Sequence, residues 1–186
     1  MPRNSELIGD VRYSFTAGLR PWDGDPEQYY FTIVGNIFVF VGDNEHPDEE
    51  AQAGEIHLTV IKAAEAINDH ARLDFIFDAL DMELIHEALF EDDDTIKVEL
   101  KIDAPLGDVL IINSIELDPQ YARTPVFWQV AETAIATFAS VGLVAAYDDT
   151  LRSGGRQWSE CGFRPAPETR IVYRDNFGIR PDHKAL

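Results

Sequence analysis

At 186 residues, with 45% hydrophobic and 11% aromatic content, the chain has the apolar material of a globular protein and the length for one domain with a full core, which excludes disorder. No apolar run approaches the ~20 residues that span a bilayer. The net charge of −19 repels phosphate backbones and anionic lipid alike, so neither nucleic acid nor membrane is an expected partner.

Arg12–Ala17 has the composition of a short strand, and Pro21, Gly24 and Pro26 keep the next segment irregular. Tyr29–Val41, rich in Tyr, Phe, Ile and Val but broken by Gly35-Asn36, reads as a hairpin or a long bent strand. Gly42–Gly54 reads as an acidic loop and Glu55–Ile61 as an alternating strand. The pattern turns helical from Lys62 to Phe90, with Ala63, Ala66, Ile67 and Ala71 on one face. Shorter helical pieces come next at Asp74–Leu80 and Met82–Phe90, with Asp81 as the N-cap of the latter. Glu91–Asp94 reads as a solvated acidic loop and Thr95–Ile102 as a strand. Pro105-Leu106-Gly107 then turns the chain into an apolar strand at Val109–Leu117.

The next helix has Thr124 as N-cap, Pro125 at its first position, and Phe127, Val130, Ala131, Ala134, Ile135 and Phe138 at helical spacing. Gly142 ends it, Leu143–Tyr147 is a short buried strand, and Thr150–Cys161 is a helix stopped by Gly162. Thr169–Arg174 is the last strand and 176–186 a tail. The expected architecture is a mixed α/β (α+β) domain around one sheet.

Charge is unevenly spread. Residues 1–122 hold 27 of the 34 acidic residues, whereas 123–186 hold 8 of the 15 Lys and Arg. Basic residues therefore return where the strand at Val109–Leu117 turns into its helix. Such a turn gathers unpaired N–H groups at the positive end of a helix dipole, a setting that suits phosphate. The single cysteine, Cys161, forms no internal disulfide, and MPRNSELIGD has no apolar leader core, so a cytoplasmic location is expected. His86-Glu87-Ala88-Leu89-Phe90 begins like a zinc-protease motif without its second His, His57 and His70 have no partner at ligand spacing, and no metal is expected.

Ile115-Glu116-Leu117-Asp118-Pro119-Gln120-Tyr121, the helix after it, and Trp158-Ser159-Glu160-Cys161-Gly162-Phe163 appear in the order found in the Gcn5-related N-acetyltransferase family, which the chain resembles over residues 95–175. Residues 10–62 would then supply the first strands and 63–94 a helical elaboration. The resemblance implies an acyl-CoA N-acyltransferase-like fold: a mixed, mostly antiparallel sheet flanked by helices on both faces, splayed between Val109–Leu117 and Leu143–Tyr147. It implies acetyl-CoA as co-substrate and direct acetyl transfer to an amine.

Backbone groups around Ile115 and Leu117 would hold the pantetheine arm. Arg123, Thr124, Val126 and Phe127, with Arg152 and Arg156, would hold the pyrophosphate. Glu116 would be a general base, and Tyr147 would stand in for the family's acidic Tyr, whose place Trp158 takes. In the turn itself Ala122 replaces the usual Arg, and Arg123, Pro125 and Phe127 fall on the three usual glycines. Pro125 has no N–H, and Phe127 lacks glycine's freedom.

Glu116 also reads simply as a solvent-facing carboxylate, and Trp158 as a core anchor. The acidic first two-thirds would attract a cationic small-molecule or peptide amine. The alternative reading is a fold that has lost acetyl transfer and uses its acidic surface to bind a basic protein or mimic nucleic acid. The sequence leaves the oligomeric state open, a dimer included.

Overall fold

The structure, a computed structural model, describes residues 9–16, 25–40, 50–92, 94–102, 106–122, 124–138, 142–148 and 157–176. Strands β1 (Gly9–Thr16), β2 (Tyr30–Phe40), β3 (Glu50–Ile61), β4 (Asp108–Leu117), β5 (Gly142–Tyr147), β6 (Arg164–Pro165) and β7 (Ile171–Asp175) form one seven-stranded sheet in the order β1-β2-β3-β4-β5-β7-β6. Every neighbouring pair is antiparallel except β4 and β5. The mixed, mostly antiparallel sheet expected from the sequence is therefore present.

Helices lie on both faces. Between β3 and β4 come α1 (Ala63–Asn68), α2 (Leu73–Asp78) and α3 (Glu83–Leu89), whose Ala63, Ala66, Leu73, Ile76, Phe77, Ile85 and Leu89 pack with Val109, Ile111, Leu143 and Ala145 of the sheet. Between β4 and β5 runs α4 (Val126–Phe138), which lays Val130, Ala131, Ala134 and Ile135 over Leu110, Ile112, Val144 and Ala146 on the other face. Val109–Ile112 are apolar without alternation because both their faces are covered. Each large side chain so buried contributes about 1.5–3 kcal/mol.

Within the segment read as a hairpin or a long bent strand, Tyr30–Phe40 is one long strand. Gly35 and Asn36 sit mid-strand, paired with β1 and β3, and the expected bend is a register shift at Ile37/Phe38. Three local readings are corrected. Residues 50–54 are strand, not loop, because pairing to β2 extends β3 past the point where alternation stops. Asp81 does not cap α3: it sits at φ 54 with its N–H on the Asp78 carbonyl, and Met82 takes the cap position without a side-chain bond.

Residues 95–102 are not a strand either. Only Ile96 bridges, to Phe90, and Val98–Leu100 is a 3-10 turn closed by Lys101 in the left-handed region. Among the described residues the Phe90–Ile96 bridge is the sole strand-like pairing of this segment, and its apolar residues serve instead to drop Leu100 into the core. Near the C-terminus Thr169 lies in a turn before β7, and the two-residue β6 adds an edge with no sequence signature. No helix of the described residues is long and apolar enough to cross a membrane.

Candidate functional site at the split between β4 and β5

Two parallel strands with a crossover helix place their carboxyl ends beside the helix start, and α/β proteins commonly bind ligands there. β4 and β5 pair from Asp108↔Gly142 to Ile112↔Ala146 and then stop. β4 continues to Leu117, still paired on its other side to β3. Asn113–Leu117 thus present a strand edge with no β5 partner.

A register shift falls where the pairing with β5 ends. Leu58 pairs with Ile112 but His57 pairs with Ser114, so Asn113 is an extra residue on β4. Such a bulge bends its strand and puts two successive side chains on one face. Asn113 donates from Nδ2 to Thr59 Oγ1 at 3.1 Å, and Ser114 stands opposite His57. Alternation then resumes in the phase that keeps Ile115 and Leu117 against the α4-side core and points Glu116 to the other face, opposite Glu55.

The split therefore has two dissimilar sides. On the α1–α3 side stand Glu116, Ser114, Asn113, His57 and Glu55, with His57 Nε2 3.6 Å from Glu55 Oε2. Glu116 is exposed and has no ion pair among the described residues. Tyr147, the last residue of β5, packs against the same side's core. Burial, then the nearby Glu83 carboxylate, pushes its phenol above the usual value, so it stays protonated and can donate. A carboxylate, an imidazole and a phenol on one face are the groups that move protons to and from a reacting centre. Asp148 Oδ1, next along the chain, is buried without a hydrogen-bond partner.

On the α4 side, Thr124 Oγ1 donates to the Tyr121 carbonyl at 2.7 Å and lies 3.4 Å from Val126 N, and the Pro125 carbonyl accepts the first helical bond, from Gln129. This places the cap within a residue of its expected position. Phe127 does not occupy the space a glycine would leave open. Its ring is in the core, edge-on to Trp158 with centroids 5.3 Å apart. Trp158 is the core anchor its composition suggests, with Nε1 buried and unpartnered.

The Trp158…Gly162-Phe163 spacing has a local cause. In α5 (Gln157–Glu160) the Phe163 N–H bonds the Trp158 carbonyl at 3.0 Å and the Gly162 N–H bonds the Ser159 carbonyl at 3.2 Å, with Gly162 at φ 74. That is a Schellman helix stop, and the Trp158–Phe163 ring contact at 4.8 Å is its hydrophobic clasp.

Of the residues singled out from sequence, the fold brings Ile115, Glu116, Leu117, Thr124, Val126, Phe127 and Tyr147 to the two sides of the split. Arg123, Arg152 and Arg156 lie outside the described residues. Sequence reading missed Asn113, Ser114, His57 and Glu55 as one group. The signal present was the polar Asn-Ser pair inside an apolar strand. Cys161 is buried, and burial above all, then Glu132, pushes its thiol up to about 12 despite Arg174, which favours the protonated thiol. Among the described residues no three His, Cys, Asp or Glu side chains converge as for a metal.

Compared with models of protein families, with curated proteins and with solved structures, the chain matches none.

Proposed function

We propose that the protein is an acetyl-CoA-dependent N-acetyltransferase of the acyl-CoA N-acyltransferase-like fold. The observation that carries this reading is the five-residue stretch of β4 beyond its last pairing with β5. An extended arm carrying amide groups can hydrogen-bond such an edge as a missing strand would. The single parallel pair, the crossover helix α4 and the resemblance in the residues around Pro119 and Gly162 support the same reading.

In it, the pyrophosphate lies at the start of α4, held by the Phe127 N–H, by the Val126 N–H once it leaves its 3.4 Å bond to Thr124 Oγ1, and by Arg123, Arg152 and Arg156. The pantetheine arm runs along Ile115 and Leu117. The thioester then emerges toward Glu116 and Tyr147. The neutral amine attacks the thioester carbonyl carbon, the C–S bond breaks, the amine proton passes to Glu116 directly or through water, and Tyr147 protonates the departing thiolate. Much of the acceleration would come from alignment. The surrounding acidity favours a cationic small-molecule or peptide amine.

Titration with acetyl-CoA, monitored by thermal unfolding, tests the reading. A ligand that binds only the folded state adds about 2.7 kcal/mol at a hundredfold excess over its Kd. An unchanged midpoint at millimolar acetyl-CoA would rule the reading out. Where binding is found, Glu116→Gln should leave it intact yet slow acetylation of a responsive amine about 10²–10⁴-fold. Full turnover in that variant removes Glu116 from the chemistry.

A further inference from the structure

The exposed large apolar side chains of the described residues all fall in one stretch: Ile67 on α1, Phe75 on α2, Leu84 on α3 and Val98 on the 3-10 turn after α3. Phe75 is 59% exposed, Leu84 63% and Val98 86%, whereas the other faces of these same helices are buried against the sheet. α1 packs on α2 and α2 on α3, and Lys97 ties Val98's turn to α3 through bonds to the Leu89 and Glu87 carbonyls. All four are thus exposed on this one layer, apart from the side chains it buries against the sheet.

On the same segments Asp78, Asp81, Glu83, Glu87, Asp92 and Glu99 are exposed, and none has a cation paired with it among the described residues. Arg72 is held by Asp74 and stacks on Phe75, already showing a cation over this surface's aromatic ring. Large apolar groups set in unneutralised negative charge waste hydrophobic surface unless a partner of opposite charge covers them.

We propose that the outer surface of α1–α3 docks a basic segment of a partner protein, with apolar side chains meeting Phe75, Leu84 and Val98 and lysines or arginines meeting the surrounding carboxylates. This surface lies on the outside of the layer whose inner face covers the sheet, and its use does not depend on acetyl transfer.

The test uses the full chain and two fluorescent synthetic peptides of equal charge: an amphipathic leucine/lysine peptide and its serine/lysine counterpart. The leucine peptide should bind about tenfold or more tightly than the serine peptide. A Phe75→Ser, Leu84→Ser, Val98→Ser variant should erase that difference while keeping the thermal midpoint, since all three side chains are exposed. No binding of the leucine peptide, equal binding of both peptides, or a preference that survives the triple substitution overturns the proposal. So does self-association in light scattering, or sedimentation with phosphatidylcholine vesicles, that the triple substitution abolishes. Those outcomes would give the surface to a second copy or to lipid.

Discussion

Gly54 and Gly162 are both at positive φ, but they answer to different constraints. A Cβ on Gly54 would stand 1.9 Å from the Glu116 carbonyl oxygen, a backbone atom of the adjacent strand that cannot step aside without moving β4. A Cβ on Gly162 meets nothing nearer than Arg174 Cδ at 4.0 Å. Gly162→Ala should therefore cost only the left-handed backbone penalty, roughly 1–2 kcal/mol. Gly54→Ala should cost more than about 3 kcal/mol and disturb the strand that carries Glu116. Denaturant unfolding of the two variants checks the ranking; equal losses would contradict it. Gly162 is legible in the sequence because a helix stop is local, fixed by the Trp, Gly and Phe around it. Gly54 is not, since its constraint comes from β4, a strand distant in sequence.

At the scale of elements, the acidic run after α3 holds the clearest departure from a sequence reading. Only part of Glu91–Asp94 is solvated. Asp94 is mostly buried: its Oδ2 accepts the Leu73 N–H at the start of α2, and its Oδ1 lies 3.2 Å from His86 Nε2. His86 in turn stacks on Phe90 and tilts against Phe77. Asp94 thus caps a helix from twenty-one residues away and closes α2 and α3 into one unit. Asp94→Ala should cost about 1–3 kcal/mol, and Asp92→Ala, exposed two residues earlier, no more than about 0.5. Indistinguishable thermal midpoints would show that the cap carries no weight. Composition marks such a run as polar, but which carboxylate turns inward depends on where α2 and α3 leave an unpaired donor. The same non-locality explains 95–102, where alternation suggests a strand but cannot tell whether an edge is free to pair with it. By contrast α4, with its cap, Pro125 and apolar spacing all local, starts within a residue of the position its sequence indicates.

For the whole molecule the dominant quantity is charge. A net −19 on 186 residues stores self-repulsion that grows as the chain becomes compact. Raising the ionic strength from about 0.01 M to 0.15 M shortens the Debye length from about 30 Å to about 8 Å. The thermal midpoint should rise over that range, because repulsion among many exposed carboxylates outweighs the few ion pairs that salt weakens. A falling midpoint would mean that ion pairs such as Arg174–Glu132, which ties β7 to α4, dominate instead. The fold class is legible at this scale, since strand and helix patterns alternate along the chain. The bringing of His57 and Glu116 to one face of β3 and β4 comes from pairing register, which no local pattern encodes.

The extra residue in β4 can also be regarded as a phase corrector. Asn113 lengthens the strand by one step without inverting the residues after it, because Ser114 repeats its side. Deleting Asn113 should leave each remaining pair from Leu58↔Ile112 to Gly54↔Leu117 in place and return the ladder to plain alternation. The core would lose no buried side chain, since Asn113 is exposed, but the buried Thr59 hydroxyl would lose the amide that bonds it. The shortened chain is expected to lose no more than about 1–3 kcal/mol, the cost of that unpaired hydroxyl, while β4 straightens and any ligand of the split is released. That outcome would show that a single residue separates the stability of the ladder from the site beside it.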